Sequence, residues 1–242
     1  MLKLDVNSDE SVTAFVREVL ARAGRVDVLV NNAGYALTGA AEETSVAEAK
    51  DQFETNFFGV VRMTKSVLPT MREARSGRII TIGSLAGIVG IPYNSIYSST
   101  KFALEGYSEA LWHELKPFGI GVSLIEPGFV RTAINQSMRE PAQHLAAYDG
   151  ARDRAVAAVD LSVNKGIAPE DVANAVLRAA QSKTPRLRYR VGADSVWLPR
   201  LKSLSPWNFF AAGVRRSFNL DAAPAPKSSA RSGHVGPQQP EH

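Results

Sequence analysis

Apolar residues recur along the chain in two alternating periods. Val12, Phe15, Val16, Val19, Leu20 and Ala23 fall at helical spacing, after Asn7 and Ser8, which can cap a helix, and before Gly24, which can end one. Val26-Asp27-Val28-Leu29-Val30 follows as a short β-branched run and breaks into Asn31-Asn32-Ala33-Gly34, as a buried strand ending in a turn would. A second helix is expected from Ser45, which stands at capping-box spacing from Glu48, through Phe53, Phe57, Val60 and Val61 to about Leu68. Residues 78–83 read as another buried strand, Ser95 to Lys116 as a long helix, and 121–125 as a strand closed by Pro127-Gly128. Pro169 with Glu170 and Asp171 suits a helix N-terminus, and Arg188 to Gly192 fits a final strand. Strands alternating with helices predict an α/β chain, a doubly wound parallel sheet with helices on both faces. Ligands bind beyond the carboxyl ends of such strands, so the turns at 31–34, 83–92 and 127–132 should line one crevice.

Composition narrows the chemistry. The 242 residues are 45% hydrophobic and 21% charged and contain no cysteine, which excludes disulfides, Cys-ligated metals and thiol catalysis. No apolar run approaches the roughly 20 residues of a membrane-spanning helix, so a cytoplasmic protein is expected. The net charge of +4 is local: residues 184–216 hold Arg186, Arg188, Arg190, Arg200, Lys202, Arg215 and Arg216 against Asp194 alone, and the remainder is mildly acidic. No nucleic-acid partner is expected from a charge so confined and unaccompanied by a recognisable module. Residues 1–220 read as one domain, and 221–242, mixing Pro, Ala, Ser, Gly and Gln, as a disordered tail.

Tyr97 and Lys101 stand four apart on the expected helix and so share a face. The spacing alone is weak, since a solvated helix face gives it too. Ser84 directly follows a strand, where its hydroxyl would project into the crevice. Asn56, a poor helix former, lies inside the preceding helix beside Phe57, Phe58 and Gly59. Taken singly, Ser84 could bond its own loop, Asn56 could be satisfied locally, and Gly34 and Pro127-Gly128 could be mere turns. No spacing of His113 with another ligand type suggests a metal site.

Taken in order, Asn31-Asn32-Ala33-Gly34, Asn56, Ser84, Tyr97-x-x-x-Lys101 and Pro127-Gly128 resemble the motif set of the classical short-chain dehydrogenases/reductases, over about residues 2 to 135. The resemblance implies a Rossmann-like domain and an oxidoreductase using NAD or NADP. It makes Asn56, Ser84, Tyr97 and Lys101 a catalytic tetrad, in which Tyr97 is the general acid/base and Asn56 holds a relaying water. It places Asp5 and Val6 beside the adenine ring, and Asn32, Ala33 and Gly34 along the cofactor. Lys101 would bind the nicotinamide ribose beside Tyr97, Pro127 and Gly128 would let the nicotinamide approach, and Val130 and Thr132 would hold its amide. A free phenol ionises near pH 10, so work near neutrality asks for a shift of about 3 units, for which a cationic Lys101 has the right sign.

The similarity leans toward the steroid and retinol dehydrogenase-like branch, so a lipophilic alcohol, ketone or aldehyde is the expected substrate and a homodimer or homotetramer the expected assembly. A 3-ketoacyl reductase-like enzyme is an alternative. Leu2 to Val6 looks like the family's third strand, and no Thr-Gly-x-x-x-Gly-x-Gly turn precedes it. Met1 is therefore expected to be an internal methionine of a longer protein. Failing that, a second chain would complete the sheet, or the chain would be a binding protein without turnover. Residues 185–218, where Trp197, Leu198, Leu201, Leu204, Trp207, Phe209 and Phe210 alternate with basic side chains, read as a packed helix, an apolar lid, or a weak contact with anionic membrane. The segment 133–167, with Met138, His144, Leu145 and Tyr148, is expected as a loop over the substrate.

Overall fold

A computed structural model of the chain describes residues 2–131 and 138–221. Four parallel strands, β1 (Val28–Asn31), β2 (Gly77–Ile82), β3 (Ile120–Pro127) and β4 (Arg188–Val191), lie side by side in chain order. Their connections contain α1 (Asp9–Ala23) before β1, α2 (Val46–Phe53) and α3 (Gly59–Ala74), α4 (Ser95–Leu115), then α5 (Asp149–Asn164) and α6 (Pro169–Gln181). Two helices, α7 (Ala193–Leu204) and α8 (Trp207–Ser217), follow the last strand.

The alternation of side chains along the strands separates two cores. Leu29, Ile79 and Val122 point to one face and pack with Val12 and Val16 of α1, Met63, Val67 and Met71 of α3, and Leu111 and Leu115 of α4. Ile80, Ile125 and Val191 point to the other and meet Ala175 and Ala179 of α6, whose small side chains let the helix lie close. Each large aliphatic side chain so buried contributes about 1.5–3 kcal/mol. The expected caps are present: Ser8 Oγ accepts from Ser11 N at 3.1 Å, Gly24 ends α1 at a left-handed φ of 74°, and Ser45 and Glu48 bond each other's backbone N–H.

Four expectations need correction. Leu2 to Val6 is not a strand: Asp5 N donates to Ser11 Oγ and Asn7 N to Asp5 Oδ1, so the segment turns to cap α1, and Val6 settles against Gly59. The helix expected over 45–68 is two helices joined by a wide turn, Glu54–Phe58, in which one extra residue is inserted. The segment 133–167 is not all loop, since α5 occupies its second half. β1 is covered on one face only; Val28 and Val30 are 39% and 42% exposed because α6 packs over β2, β3 and β4 and does not reach them. Thr132 and residues 222–242, the latter expected to be disordered, lie outside the described residues.

Candidate active site

A cavity of about 670 Å³ opens over the carboxyl ends of the strands, as the parallel sheet requires. The turn after β1 brings Asn32 and Gly34 to it, the turn after β2 brings Ser84, α4 brings Tyr97 and Lys101, and the end of β3 brings Pro127, Gly128 and Val130. The opposite wall is apolar, from Val159 and Val163 of α5 and Val172 and Val176 of α6. Asp5 and Val6 lie outside this lining, at the α1 cap. Ala33 and Asn56 are also outside it, although Asn56 acts on it from behind.

Ser84 has extended backbone, and its hydroxyl accepts from Ala86 N at 3.0 Å, starting the short turn Leu85–Gly87. That turn lies directly on α4. A Cβ at Gly87 would stand 2.8 Å from the Lys101 carbonyl oxygen, so no larger residue permits this approach. The contact sets the Ser84 hydroxyl near enough to the Tyr97 phenol to favour its ionised form in part. Lys101, 8% exposed, donates from Nζ to the carbonyl of Ile82 at 2.9 Å, and its ammonium lies 5.7 Å from the centre of the Tyr97 ring.

Burial decides the electrostatics of this pair. It lowers the Lys101 ammonium from 10.5 to about 8, because no acidic partner compensates its lost hydration. It also pushes the Tyr97 phenol above its ordinary 10, and the Ser84 hydroxyl offsets only part of that. The lowering expected from Lys101 is therefore not found: the ammonium lies over the ring and gives one of its donors to a strand carbonyl. At neutral pH Tyr97 is a protonated donor.

Asn56, 1% exposed in the wide turn before α3, makes three hydrogen bonds. Its Oδ1 accepts from Tyr35 N at 3.0 Å, and its Nδ2 donates to Tyr35 O at 2.9 Å and Thr100 Oγ1 at 3.2 Å. Thr100 Oγ1 in turn donates to Tyr97 O at 2.7 Å. The amide thus ties the loop after β1 to α4, with both its donors committed. A Cβ at Gly34 would press on Asn56 Oδ1 at 3.0 Å, which accounts for the glycine.

Sequence reasoning missed Tyr35 and Thr100 in this network. Thr100 was in reach, since it lies between Tyr97 and Lys101, but Tyr35 takes part through its backbone and leaves no side-chain signal. It also missed Asp194. The direction of a side chain at Gly128 is filled by the Asp194 carboxylate, which accepts from Phe129 N and Ser195 N, each at 2.9 Å. Gly128 is needed for that contact across the start of α7, and not only for approach from the cleft.

The lining suits one end of a nicotinamide nucleotide. Lys101 has one of its three N–H donors on Ile82 O and two left for a vicinal diol, and the apolar wall suits a planar ring. For the diphosphate, the described lining supplies no second cation and no glycine turn at a helix N-terminus.

A parallel α/β sheet with a ligand-sized cavity over its strand ends defines a protein of the Rossmann-like class. The chain belongs to the short chain dehydrogenase family, which it matches over residues 1–143. It is 39% identical over 218 residues to a 3-ketodihydrosphingosine reductase of Bacteroides thetaiotaomicron, covering 89% of this chain and 81% of that one. It is 39% identical over 213 residues to retinol dehydrogenase 8 of Bos taurus, covering 84% and 67%, which puts it in the retinol dehydrogenase-like branch. Among solved structures, a short-chain dehydrogenase from Streptomyces avermitilis is similar at a TM-score of 0.72 and 36% identity, over 90% of this chain and 78% of that one. Solved neighbours at 25–27% identity and TM-scores of 0.60–0.72 hold the cofactor, NAD in one from Burkholderia phymatum and NADP in others. Among the described residues no helix is long and apolar enough to cross a membrane.

Proposed function

We propose that the chain interconverts a lipophilic alcohol with its ketone or aldehyde, with Tyr97 exchanging the proton on the substrate oxygen. The observation that carries this reading is the convergence of Ser84, Tyr97 and Lys101 on one cleft whose facing wall is apolar. When bound, the nicotinamide supplies or accepts the hydride; the proton is left to the protein. The Ser84 hydroxyl, lining the same cavity as the phenol, orients the substrate oxygen to it. Lys101 holds ribose hydroxyls with its two remaining donors. Asn56 is a positioning residue, holding the loop at Tyr35 and the α4 turn at Thr100 in register. Asn32, Ala33 and Gly34 would run along the cofactor, and Val130 would face its amide. Asp5 and Val6 fit no such role in this geometry.

A phenol held protonated by burial favours proton donation, hence reduction of a carbonyl, at neutral pH. The reverse direction requires the phenolate, so alcohol oxidation should rise with pH through the alkaline range while carbonyl reduction stays flat or falls. The similarity to a ketodihydrosphingosine reductase and a retinol dehydrogenase supports an apolar substrate. The exposed Trp197, Leu204, Trp207 and Phe209 beside Arg200, Arg215 and Arg216 suit weak contact with an anionic membrane surface. Phe58 and Phe102, exposed on the elements that hold Asn56 and Tyr97, suit the seam of a homodimer.

The test is Tyr97→Phe, assayed with both nucleotides over a panel of long-chain and retinoid alcohols and their carbonyls. Turnover should fall about 10²- to 10⁴-fold with nucleotide binding retained. An unchanged rate would sink the assignment of Tyr97. Nucleotide binding without turnover of any substrate by the unsubstituted chain would favour a binding protein instead.

A further inference from the structure

A second cavity, of about 630 Å³, lies behind the first, between the loop after β2, α5, α7 and α8. Leu85, Ile91 and Phe129 line both, so the two spaces adjoin at these residues. The space is open to solvent along Gly90, Gly213 and Arg216, and its size is far beyond the packing defects of a folded interior. Its walls are Val89 on one side, Leu198 and Leu201 of α7 on another, and Phe210, Val214 and Phe218 on a third.

The few polar groups on those walls are already engaged. Ser162 Oγ donates to Ala158 O, Ser217 Oγ to Gly213 O, and the Asp194 carboxylate accepts from Phe129 N and Ser195 N. Arg216 stands at the exposed rim. An occupant of this cavity therefore meets no free hydrogen-bond donor among these wall side chains, only spare lone pairs, and an apolar chain suits it best. The backbone of Phe129 is pinned on both sides, its N–H by Asp194 at 2.9 Å and its carbonyl by Ile167 N at 3.0 Å. Its half-buried ring is the part left to turn, which makes it a side-chain gate between the cavities.

We propose that the second cavity seats the unbranched hydrocarbon tail of a long-chain substrate, threaded past Phe129 while its oxygen-bearing carbon rests at Tyr97. The head of this assignment rests on the reaction proposed above; the tail site stands on its own geometry. A substrate too short to pass Phe129 gains nothing from it, whereas each methylene buried beyond the gate is worth roughly fourfold in binding.

Gly213 and Gly90 line this cavity from opposite sides, outside the catalytic cleft. Neither would place a Cβ within 4 Å of another group, and neither has positive φ. Gly213→Phe should fill the space from α8 and Gly90→Phe from the loop, with Gly213→Ala as the folding control. Two measurements are made on the full chain: kcat/KM for butan-2-ol, octan-2-ol and hexadecan-2-ol with each nucleotide, and fluorescence titration with a pyrene-labelled dodecanol without nucleotide. The expected result is kcat/KM that climbs with chain length. Each phenylalanine variant should lose at least about tenfold on hexadecan-2-ol and on the pyrene probe and stay within about twofold on butan-2-ol, while Gly213→Ala behaves as the unsubstituted chain. Chain-length preference and probe binding that survive both phenylalanine variants would overturn the tail site. Probe binding that the variants abolish, with no alcohol turned over by any form, would keep the tail site and reject the reaction at Tyr97.

Discussion

The wall of the cleft built on α4 and the wall built by α5 to α8 close over the same strand ends, but different forces hold them. On the α4 side, Ser98, Thr100, Lys101 and Leu104 are buried, and directed hydrogen bonds run from Asn56 to Tyr35 and Thr100, from Thr100 to Tyr97, and from Lys101 to β2. On the other side, Val159, Val163, Phe210 and Phe218 are in apolar contact, a second cavity remains between the helices, and Trp197, Leu204, Trp207 and Phe209 face outward. Hydrogen bonds fix distance and angle, whereas apolar contact fixes little beyond exclusion of water. The division matches a site whose proton chemistry must be placed closely and whose substrate pocket need only be greasy and roomy.

Substitutions on the two walls should therefore differ in size. After the loss expected of Tyr97→Phe, the largest effect should come from Asn56→Ala, which leaves the part-buried Tyr35 N–H and Thr100 Oγ1 without the amide while the Tyr35 carbonyl keeps its bond from Gln52 Nε2. Urea unfolding should show about 3 kcal/mol of lost stability, and nucleotide affinity should fall with it. A change below about 1 kcal/mol would mean that the amide does not hold the wall.

One turn beyond Lys101, the α4 wall carries a liability. Glu105 and Glu126 are buried together against Arg188 and Arg190, and one oxygen of each carboxyl lacks a hydrogen-bond partner. Burial, helped by the Glu126 charge, raises Glu105 from 4.5 to about 7 in the folded chain. An acid whose pKa is raised on folding stabilises most when the pH is below its unfolded value, and that contribution is lost as pH rises through the folded value. Thermal stability should thus decline between about pH 4.5 and 7, by on the order of 2 kcal/mol, and Glu105→Gln should flatten the decline. A decline of equal depth in the variant would assign it to other groups.

The smallest effect should come from the outer face of the second wall. Trp207→Ser and Phe209→Ser replace side chains that are 66% and 68% exposed, so stability should move by no more than about 0.5 kcal/mol. A loss of several kcal/mol would show that this face is buried against something in solution. Binding to anionic vesicles, measured by sedimentation, would separate a membrane from a second copy of the chain.

Much of the fold was legible because its signals are local. Period and caps marked α1, the capping box marked α2, and β-branched runs ending in glycine or proline marked the strands. Ser84, Tyr97 and Lys101 were legible as types at a spacing. The break after Phe53 was not: helical period continues through it, and the inserted residue shows only once Asn56 turns inward to Tyr35. The strand reading of Leu2 to Val6 came from its likeness to the family's third strand, and likeness alone cannot say whether a pairing partner is alongside; here the segment caps α1 instead.

By itself, then, the sequence determined the alternation of strands and helices and that strand ends would present Ser84, Tyr97 and Lys101 to one cavity, because covalent spacing and period are properties of the chain. Tertiary structure alone decided the rest. Asp194 meets Gly128 from a distant part of the chain, the phenol is raised when proximity to Lys101 promised lowering, and a second apolar cavity opens behind Phe129. The reason is physical. Desolvation, orientation and empty volume belong to no single stretch of sequence and exist only once distant segments have packed.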